Sequence, residues 1–489
     1  MAYKRTYLTT AIAYVNAKAH LGHALEFILG DCILRHNRDI GLEVLGQTGT
    51  DEYGQKLERT AQNKKMDPKE YCDLISKTFR DLKETFNLSY DQFIRTTDPE
   101  HHLSVRKIWL AAKESGDIYK KKYKGLYCTG CESFIQEKDL VSGKCPNHNK
   151  EPEIVEEENY FFRLSKYGDE ILKWLKDNPE IVFPESRYKE IVNIVSSGLE
   201  DISISRPRTS LNWGVEVPDD TDHVVYVWFD ALTNYLTGVG YYEQGDKYMK
   251  WWESKDSEVI NLIGKDIIRH HIAIWPAMLL SAKVPLPNKY IVHGFVLADG
   301  QKMSKSMGNV VDPVVYANKY GSDALRWYLL KEIPNGQDGN FAHDRFVFTY
   351  NSDLANNIGN LYNRVLTLVM KYDIQMPEKL PTVASIEKAK EEYNESFRSL
   401  RVDKAASKII DVCDEANLFI GERQPWVVAK EDKEALIEIM VTLFTYLVEI
   451  NKMLKPFVPQ ISEKLEVVLS SRPIVKPDVL FPKIEEELD

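Results

Sequence analysis

The sequence predicts an α/β chain in which a parallel-sheet domain with crossover helices is split by an insertion and followed by a C-terminal helical bundle. Three observations carry this. Strand-like and helix-like runs alternate up to about residue 118, the pattern of a parallel sheet. A lysine- and cysteine-rich segment then breaks the alternation, and after about Asp344 the helical period dominates.

In order, the first part reads strand Thr6–Tyr14, helix Leu21–Asp39, strand Glu43–Thr48, helices Gln55–Asn63 and Pro68–Phe86, strand Gln92–Thr96 and helix Glu100–Ser115. From Tyr119 to Tyr160 the run Lys120, Lys121, Lys122, Lys124, a Cys/His cluster and the acidic Glu156–Glu158 mark an insertion. The α/β character resumes with the apolar strand Val259–Ile263, closed by Gly264 and followed by a helix from about Ile267 to Ser281. Helical periodicity then runs through Leu354–Tyr372, Ile386–Ser399, Ala405–Ile420 and Lys433–Leu454, a bundle. The expected divisions are 1–118 (first half of the sheet domain), 119–222 (insertion), 223–343 (second half) and 344–489 (bundle).

A chain of 489 residues has room for about three domains. With 43% hydrophobic and 28% charged residues it has the balance of a folded globular protein, not of a disordered one. Its longest apolar stretch, Ile267 to Leu280, contains Arg269, His270 and His271, far from the roughly 20 uninterrupted apolar residues of a membrane span. No secretory hydrophobic run precedes Asn16, Lys18 and His20, so a cytoplasmic location is expected. The net charge of −11 argues against coating nucleic acid through bulk electrostatics and leaves only local basic and aromatic patches to bind it.

Six cysteines are too few for a disulfide framework in a chain this long. Cys32, Cys72 and Cys413 sit in apparent helices and read as ordinary buried side chains. Cys128, Cys131, Cys145 and His148 form two close pairs, C-x2-C and C-x2-H, with turn-forming neighbours. That spacing fits a closed tetrahedral structural zinc site.

His20-Leu21-Gly22-His23 falls at a strand-to-helix junction, where free backbone N–H groups and the helix dipole favour phosphate. Gly22 allows close approach, and two imidazoles can donate to phosphate oxygens. Alone, the same four residues read more often as a helix cap beside a surface histidine than as a nucleotide site. Lys302-Met303-Ser304-Lys305-Ser306, between Gly300 and Gly308, reads as a solvated basic turn or as a loop closing over a triphosphate to neutralise departing pyrophosphate.

Together these two motifs resemble the pair that defines class I aminoacyl-tRNA synthetases, and essentially all of the chain resembles the methionyl-tRNA synthetase family within them. The resemblance implies a Rossmann-like catalytic domain, a zinc-bearing connective insertion and a helical anticodon-binding domain. It implies ATP-dependent activation of methionine, with Mg2+ accompanying the ATP, and transfer to the terminal adenosine of tRNA(Met). His20, Gly22 and His23 become ATP ligands, and Lys302 and Lys305 stabilise the transition state. Gly264 and Asp266 contact the ribose, although Asp266 also reads as a helix N-cap.

The resemblance places methionine against Ala11, Ile12, Tyr14, Trp228, Ala231, Leu232, Tyr235, Ile267, His271 and Trp275, with Asp51 receiving its ammonium. Residues 267, 271 and 275 share a helix face, which a plain core stripe would also produce. The aromatic members suit a polarisable thioether. Ala13 and Leu232 stand where some relatives carry proline, a departure that bears on pocket rigidity. For the anticodon the resemblance points to Asn356, Asn357, Arg364 and Trp426, the last reading alternatively as a buried staple between helices. Arg206 orients the insertion or makes an ordinary ion pair. The insertion is too short for the editing domain of leucine, isoleucine and valine enzymes. A non-catalytic tRNA-binding scaffold remains a second reading, and a monomer is expected.

Overall fold

A computed structural model describes residues 3–129, 133–135, 137–146, 149–298, 300–302, 311–475 and 477–485. The chain divides into two compact units. One comprises Met1–Ala19, Leu42–Asp81 and Tyr90–Val292; the other comprises His20–Gly41, Leu82–Ser89 and His293–Asp489.

The first unit is built on a seven-stranded sheet. Arg5–Thr10 lies between Glu43–Asp51 and Ser257–Gly264, parallel to both. Gln92–Arg95 adds to Glu43–Asp51 in the same direction, and Lys289–His293 follows Ser257–Gly264. The expected strand Thr6–Tyr14 is interrupted. The Ala11 amide still reaches Leu262 of one neighbour, whereas Ala13 and Tyr14 pair with Thr50 and Asp51 of the other. The chain changes partner at Ala11–Ile12, so the ladder cannot be continuous. Helix Gln55–Asn63 runs as expected, while the single helix expected over Pro68–Phe86 is broken at Asp81 into Pro68–Arg80 and Leu82–Thr85.

Beyond helix Pro99–Glu114 the insertion opens with a long antiparallel pair, Ile118–Cys128 against Glu153–Phe162. Its register sets Lys122 opposite Glu158 and Lys124 opposite Glu156. The lysine and glutamate runs thus face each other across the ladder, where opposite charges favour this register. The insertion also returns Val182–Phe183 to the main sheet, parallel to Lys289–His293. Trp109 and Trp275 are among the largest fully buried side chains of this unit.

The second unit contains helix Leu21–Asp39, a three-stranded sheet (Gln301–Lys302, Val296–Ala298, Gly339–Phe341) and the C-terminal helices. Helix Lys433–Leu454 has the expected bounds and is capped by Asp432, whose carboxylate accepts from the Glu434 and Ala435 amides. The expected helix Leu354–Tyr372 begins in a π-helical stretch, Tyr350–Gly359, that continues as α-helix Asn360–Lys371. Helices Pro313–Tyr320, Ser322–Glu332 and Pro459–Ser470 had not been expected.

Arg326 is completely buried within this unit. Its guanidinium pairs with Asp31 of the Leu21–Asp39 helix at 2.8 Å and donates to the carbonyls of Phe86, Pro456 and Phe457. Asp31 also accepts from Arg35 and from the Ser89 amide. Each guanidinium nitrogen and each Asp31 oxygen of a costly buried charge pair thereby has a partner. Among the described residues no helix is long and apolar enough to cross a membrane.

Candidate active site

The first unit gathers aromatic side chains at the carboxyl ends of its strands, where open parallel sheets bind ligands. Two short helices follow Val225: Val227–Leu232, carrying Trp228, Ala231 and Leu232, and Asn234–Thr237, carrying Tyr235. Gln47 donates to the Asn234 carbonyl and side chain, and Tyr7 donates to the Tyr235 carbonyl. Gly238 must be glycine, because a Cβ there would lie 1.5 Å from the Gln47 side-chain oxygen.

Facing these helices is the segment after Gly264. A regular helix was expected from Ile267, but the chain winds as a 3-10 turn over Lys265–Ile267, a π-turn over His270–Ile274 and an α-helix over Trp275–Ser281. The wide turn presents two successive histidines to aromatic partners, as π-bulges at functional sites often do. His270 stacks on Trp228 at a ring separation of 3.8 Å, while His271 bonds to the Tyr235 hydroxyl at 2.7 Å. Trp275 is fully buried and meets the Tyr235 ring at 6.0 Å.

His271 Nδ1 faces the Ile267 carbonyl at 3.0 Å, an acceptor, so Nδ1 carries the proton and Nε2 accepts from Tyr235. Burial pulls the His271 pKa down to about 4, which agrees with a neutral ring. Trp228, Tyr235, Ile267, His271 and Trp275 are therefore brought together, with Ala231 and Leu232 buried beside them.

Ala11 and Ile12 are half-buried, and Tyr14 and Asp51 are adjacent through the parallel pairing of their strands. The Leu57 amide donates to the Tyr14 hydroxyl. The neighbouring Glu52 serves the structure instead, being completely buried and paired with Arg95 through both oxygens. Gly264 is the N-cap of the Lys265–Ile267 turn, and that turn has no side-chain cap. Asp266 lies exposed within it, so the N-cap reading of Asp266 is replaced.

In the second unit, His20 is the N-cap of helix Leu21–Asp39. Its Nδ1 accepts from the Gly22 amide at 3.0 Å, and the His20 amide donates back to His23 Nδ1 at 3.2 Å. This reciprocal arrangement is a capping box made of two histidines. Because both Nδ1 atoms accept, both rings carry their proton on Nε2, a donor suited to an anion. Burial, then the neighbouring His20 and His293, holds the His23 imidazole well below its usual range. A Cβ on Gly22 would meet the His20 ring at 2.8 Å, which is why glycine stands there.

Sequence reasoning missed Glu26, one turn along the helix from His23, and His293, whose Nε2 lies 2.8 Å from Glu26 Oε2. The i, i+3 spacing of His23 and Glu26 was the available signal. Lys302 pairs with Leu297 through its backbone; its side chain and Lys305 lie outside the described residues.

Of the zinc candidates, Cys128 ends its strand and Cys145 follows a tight turn bridging Val141 and Lys144; both are buried. Cys131 and His148 lie outside the described residues. Cys32, Cys72 and Cys413 are fully buried, and burial pushes their thiol pKa values up, leaving them inert as nucleophiles.

At the bundle, Asn357 donates to Asp414 at 2.6 Å and accepts from Asn417, to which Arg364 also donates. Asn356 instead lines a cleft of about 470 Å³ together with Asn360, Asn363 and Lys483. Asn360 and Asn363 had not been singled out. Trp426 is 42% exposed, so it is not the buried staple. Gln424, in left-handed conformation, ends the preceding helix and starts the short Pro425–Val428 helix that carries it. Arg206 is buried between the Tyr127 and Tyr226 rings and donates to Ser203 and the Ser205 carbonyl.

The chain matches the family described as tRNA synthetases class I (M) over residues 6–153 and 148–366, and the anticodon-binding domain of tRNA ligase over residues 382–488. It is 43% identical to the methionine–tRNA ligase of Caldanaerobacter subterraneus subsp. tengcongensis, covering 94% of this chain and 73% of that protein. It is 41% identical to the Clostridium perfringens methionine–tRNA ligase, covering 100% and 79%. Mycobacterium tuberculosis methionyl-tRNA synthetase in complex with methionyl-adenylate has a similar structure, with a TM-score of 0.91 at 36% identity over 98% of this chain and 100% of that one.

Proposed function

The chain belongs to the methionine–tRNA ligase family of class I tRNA synthetases, and from that premise we propose how its own residues divide the work. The reaction is ATP-dependent activation of methionine followed by its transfer to tRNA. The methionine carboxylate attacks the α-phosphorus of ATP, which enters with Mg2+. A phosphorus–oxygen bond forms, the bond to the bridging oxygen breaks, and pyrophosphate leaves. A ribose hydroxyl of the terminal adenosine then attacks the methionyl carbonyl and AMP departs. No side chain forms a covalent bond, so the site acts through positioning and charge stabilisation.

In this reading the methionine side chain lies against Ala11, Ile12, Tyr14, Trp228, Ala231, Leu232, Tyr235, Ile267, His271 and Trp275, and Asp51 receives its ammonium. The observation that carries this reading is the neutral His271–Tyr235 pair set in an aromatic wall. With its tautomer fixed by Ile267, that wall offers no charge to a cationic or anionic side chain. It offers a polarisable thioether sulfur–aromatic contacts of about 0.3–1.5 kcal/mol each.

The two Nε2–H groups of His20 and His23 donate to phosphate oxygens, and Gly22, lacking a side chain, lets the ATP come close to the backbone. Gly264 and Asp266 contact the ribose, a role supported by the exposure of Asp266. Lys302 and Lys305 neutralise the departing pyrophosphate.

Cys128, Cys131, Cys145 and His148 would hold one zinc. Two buried thiols on the insertion, one of them after a tight turn, support a soft-ligand structural site, and bound zinc would pin that turn without entering the chemistry. The half-exposed Trp426 supports stacking on an anticodon base, with Asn356, Asn357 and Arg364 contributing amide and guanidinium donors. The four divisions 1–118, 119–222, 223–343 and 344–489, a cytoplasmic location and a monomeric state complete the reading. Methionine-dependent exchange of pyrophosphate into ATP tests it: exchange with methionine supports it, exchange with another amino acid favours a sister ligase, and none favours a scaffold.

A further inference from the structure

We propose that His101 and His102, adjacent in the first turn of helix Pro99–Glu114, are positioning residues that brace two walls of the methionine pocket at once. This rests on the pocket assignment above. His101 is completely buried. Its Nε2 lies 3.0 Å from Asp230 Oδ1, and its Nδ1 lies 2.9 Å from the Thr237 hydroxyl. Asp230 sits on the helix that presents Trp228, Ala231 and Leu232, while Thr237 closes the helix that presents Tyr235. A single imidazole thus bridges both short helices from behind the pocket.

His102 does the corresponding work on the acidic wall. Its Nε2 lies 2.8 Å from the Tyr53 hydroxyl, and Tyr53 is two residues after Asp51. The Tyr53 ring packs on Trp213 at 5.1 Å, and the Trp213 indole N–H donates to the Glu52 carbonyl at 2.5 Å. The backbone that follows Asp51 is therefore held at the Glu52 carbonyl and at the Tyr53 side chain.

Stability alone does not account for this arrangement. Asp230 is 1% exposed, and its Oδ2 meets no hydrogen-bond partner among the described residues. Replacing a buried pair of this kind by well-packed apolar side chains is often neutral or stabilising, so its use here points to geometry. A directional bond to each helix fixes their spacing, which apolar packing does only loosely. Methionine binding reads that spacing, whereas the His20–His23 motif belongs to a different segment.

The test is steady-state pyrophosphate exchange by the full chain. His101→Phe keeps the ring but removes both bonds. It should raise the methionine KM about tenfold or more while the ATP KM changes less than about twofold, since an ångström of misplacement costs up to about 100-fold. His101→Gln can donate to Asp230 and accept from Thr237, and should recover most of the loss. An unchanged methionine KM in His101→Phe, or methionine and ATP KM values rising together, overturns the proposal. If His101→Phe does not fold, Thr237→Val and Tyr53→Phe each remove one bond at the periphery of the brace. A wild-type methionine KM in both would be equally decisive against it. Wild-type exchange with methionine is the separate check on the pocket assignment itself.

Discussion

Gly22→Ala separates the catalytic role proposed for the His20–His23 capping box from its structural one. An added Cβ would lie 2.8 Å from His20 Cε1 and 3.0 Å from Nδ1, inside any ordinary carbon contact, so the ring must swing away. That breaks the Gly22 N–H to Nδ1 bond and, with it, the cap. Losing an N-cap costs about 1 kcal/mol. Replacing glycine by alanine within a helix returns about 1 kcal/mol, so the melting temperature should stay within about 3 °C of wild type. In the proposed arrangement the displaced His20 no longer aims its Nε2–H at the phosphate. Removing one aligned donor from a charge-stabilising site costs about 100-fold or more in kcat. Thermal denaturation and pyrophosphate exchange on the same preparation measure both quantities. Exchange within about threefold of wild type, in a protein that melts normally, would refute the assigned role of the His20 ring.

Other expectations concern stability, metal and tRNA. Arg326→Met leaves buried Asp31 with Arg35 and the Ser89 amide but without its Arg326 charge partner, and should destabilise the protein by about 3–5 kcal/mol; a shift below about 1 kcal/mol in urea denaturation would contradict the importance given to this pair. Burial lowers the pKa values of His36 and His271 to about 4 from 6.5. The unfolded chain therefore binds more protons between those values, and stability should fall as pH drops through that window, by on the order of a few kcal/mol. Urea midpoints compared at about pH 7 and about pH 5 check this, and equal midpoints would argue against it. Elemental analysis of the wild type should find one zinc per chain and of Cys145→Ser none; zinc undiminished in the variant would remove Cys145 from the ligand set. Trp426→Ala should weaken tRNA binding by about 1–3 kcal/mol while leaving pyrophosphate exchange intact, and unaltered binding would free the tryptophan from that role.

Local signals made much of this chain legible. Helices Leu21–Asp39, Gln55–Asn63 and Lys433–Leu454 run between the residues expected from the sequence pattern. The aromatic pocket was legible only through resemblance, since residues 267, 271 and 275 fit a core stripe equally well. The π-turns at His270–Ile274 and Tyr350–Gly359 were hidden, because a single widened turn inside a helix leaves nearly the same apolar pattern as a regular one.

Long-range polar partners were the other blind spot. Asp230 lies 129 residues from His101, and His293 lies 267 residues from Glu26. Nothing local marks either pair, and each histidine reads in isolation as an ordinary helix or strand residue. Arg326 is the extreme case: a charged residue in an apolar helix reads as a solvated face until Asp31 and three carbonyls are brought around it.

If methionine and ATP are simply held in register, activation proceeds without a covalent enzyme intermediate. This can be observed in a single-turnover reaction of the full chain with radiolabelled methionine and Mg-ATP, quenched in acid, with tRNA(Met) added in a parallel chase. About one methionyl-adenylate per chain is expected, released from the protein by acid and passed to tRNA in the chase. Label that stays bound to denatured protein, or no adenylate at all, would contradict catalysis by positioning and charge stabilisation.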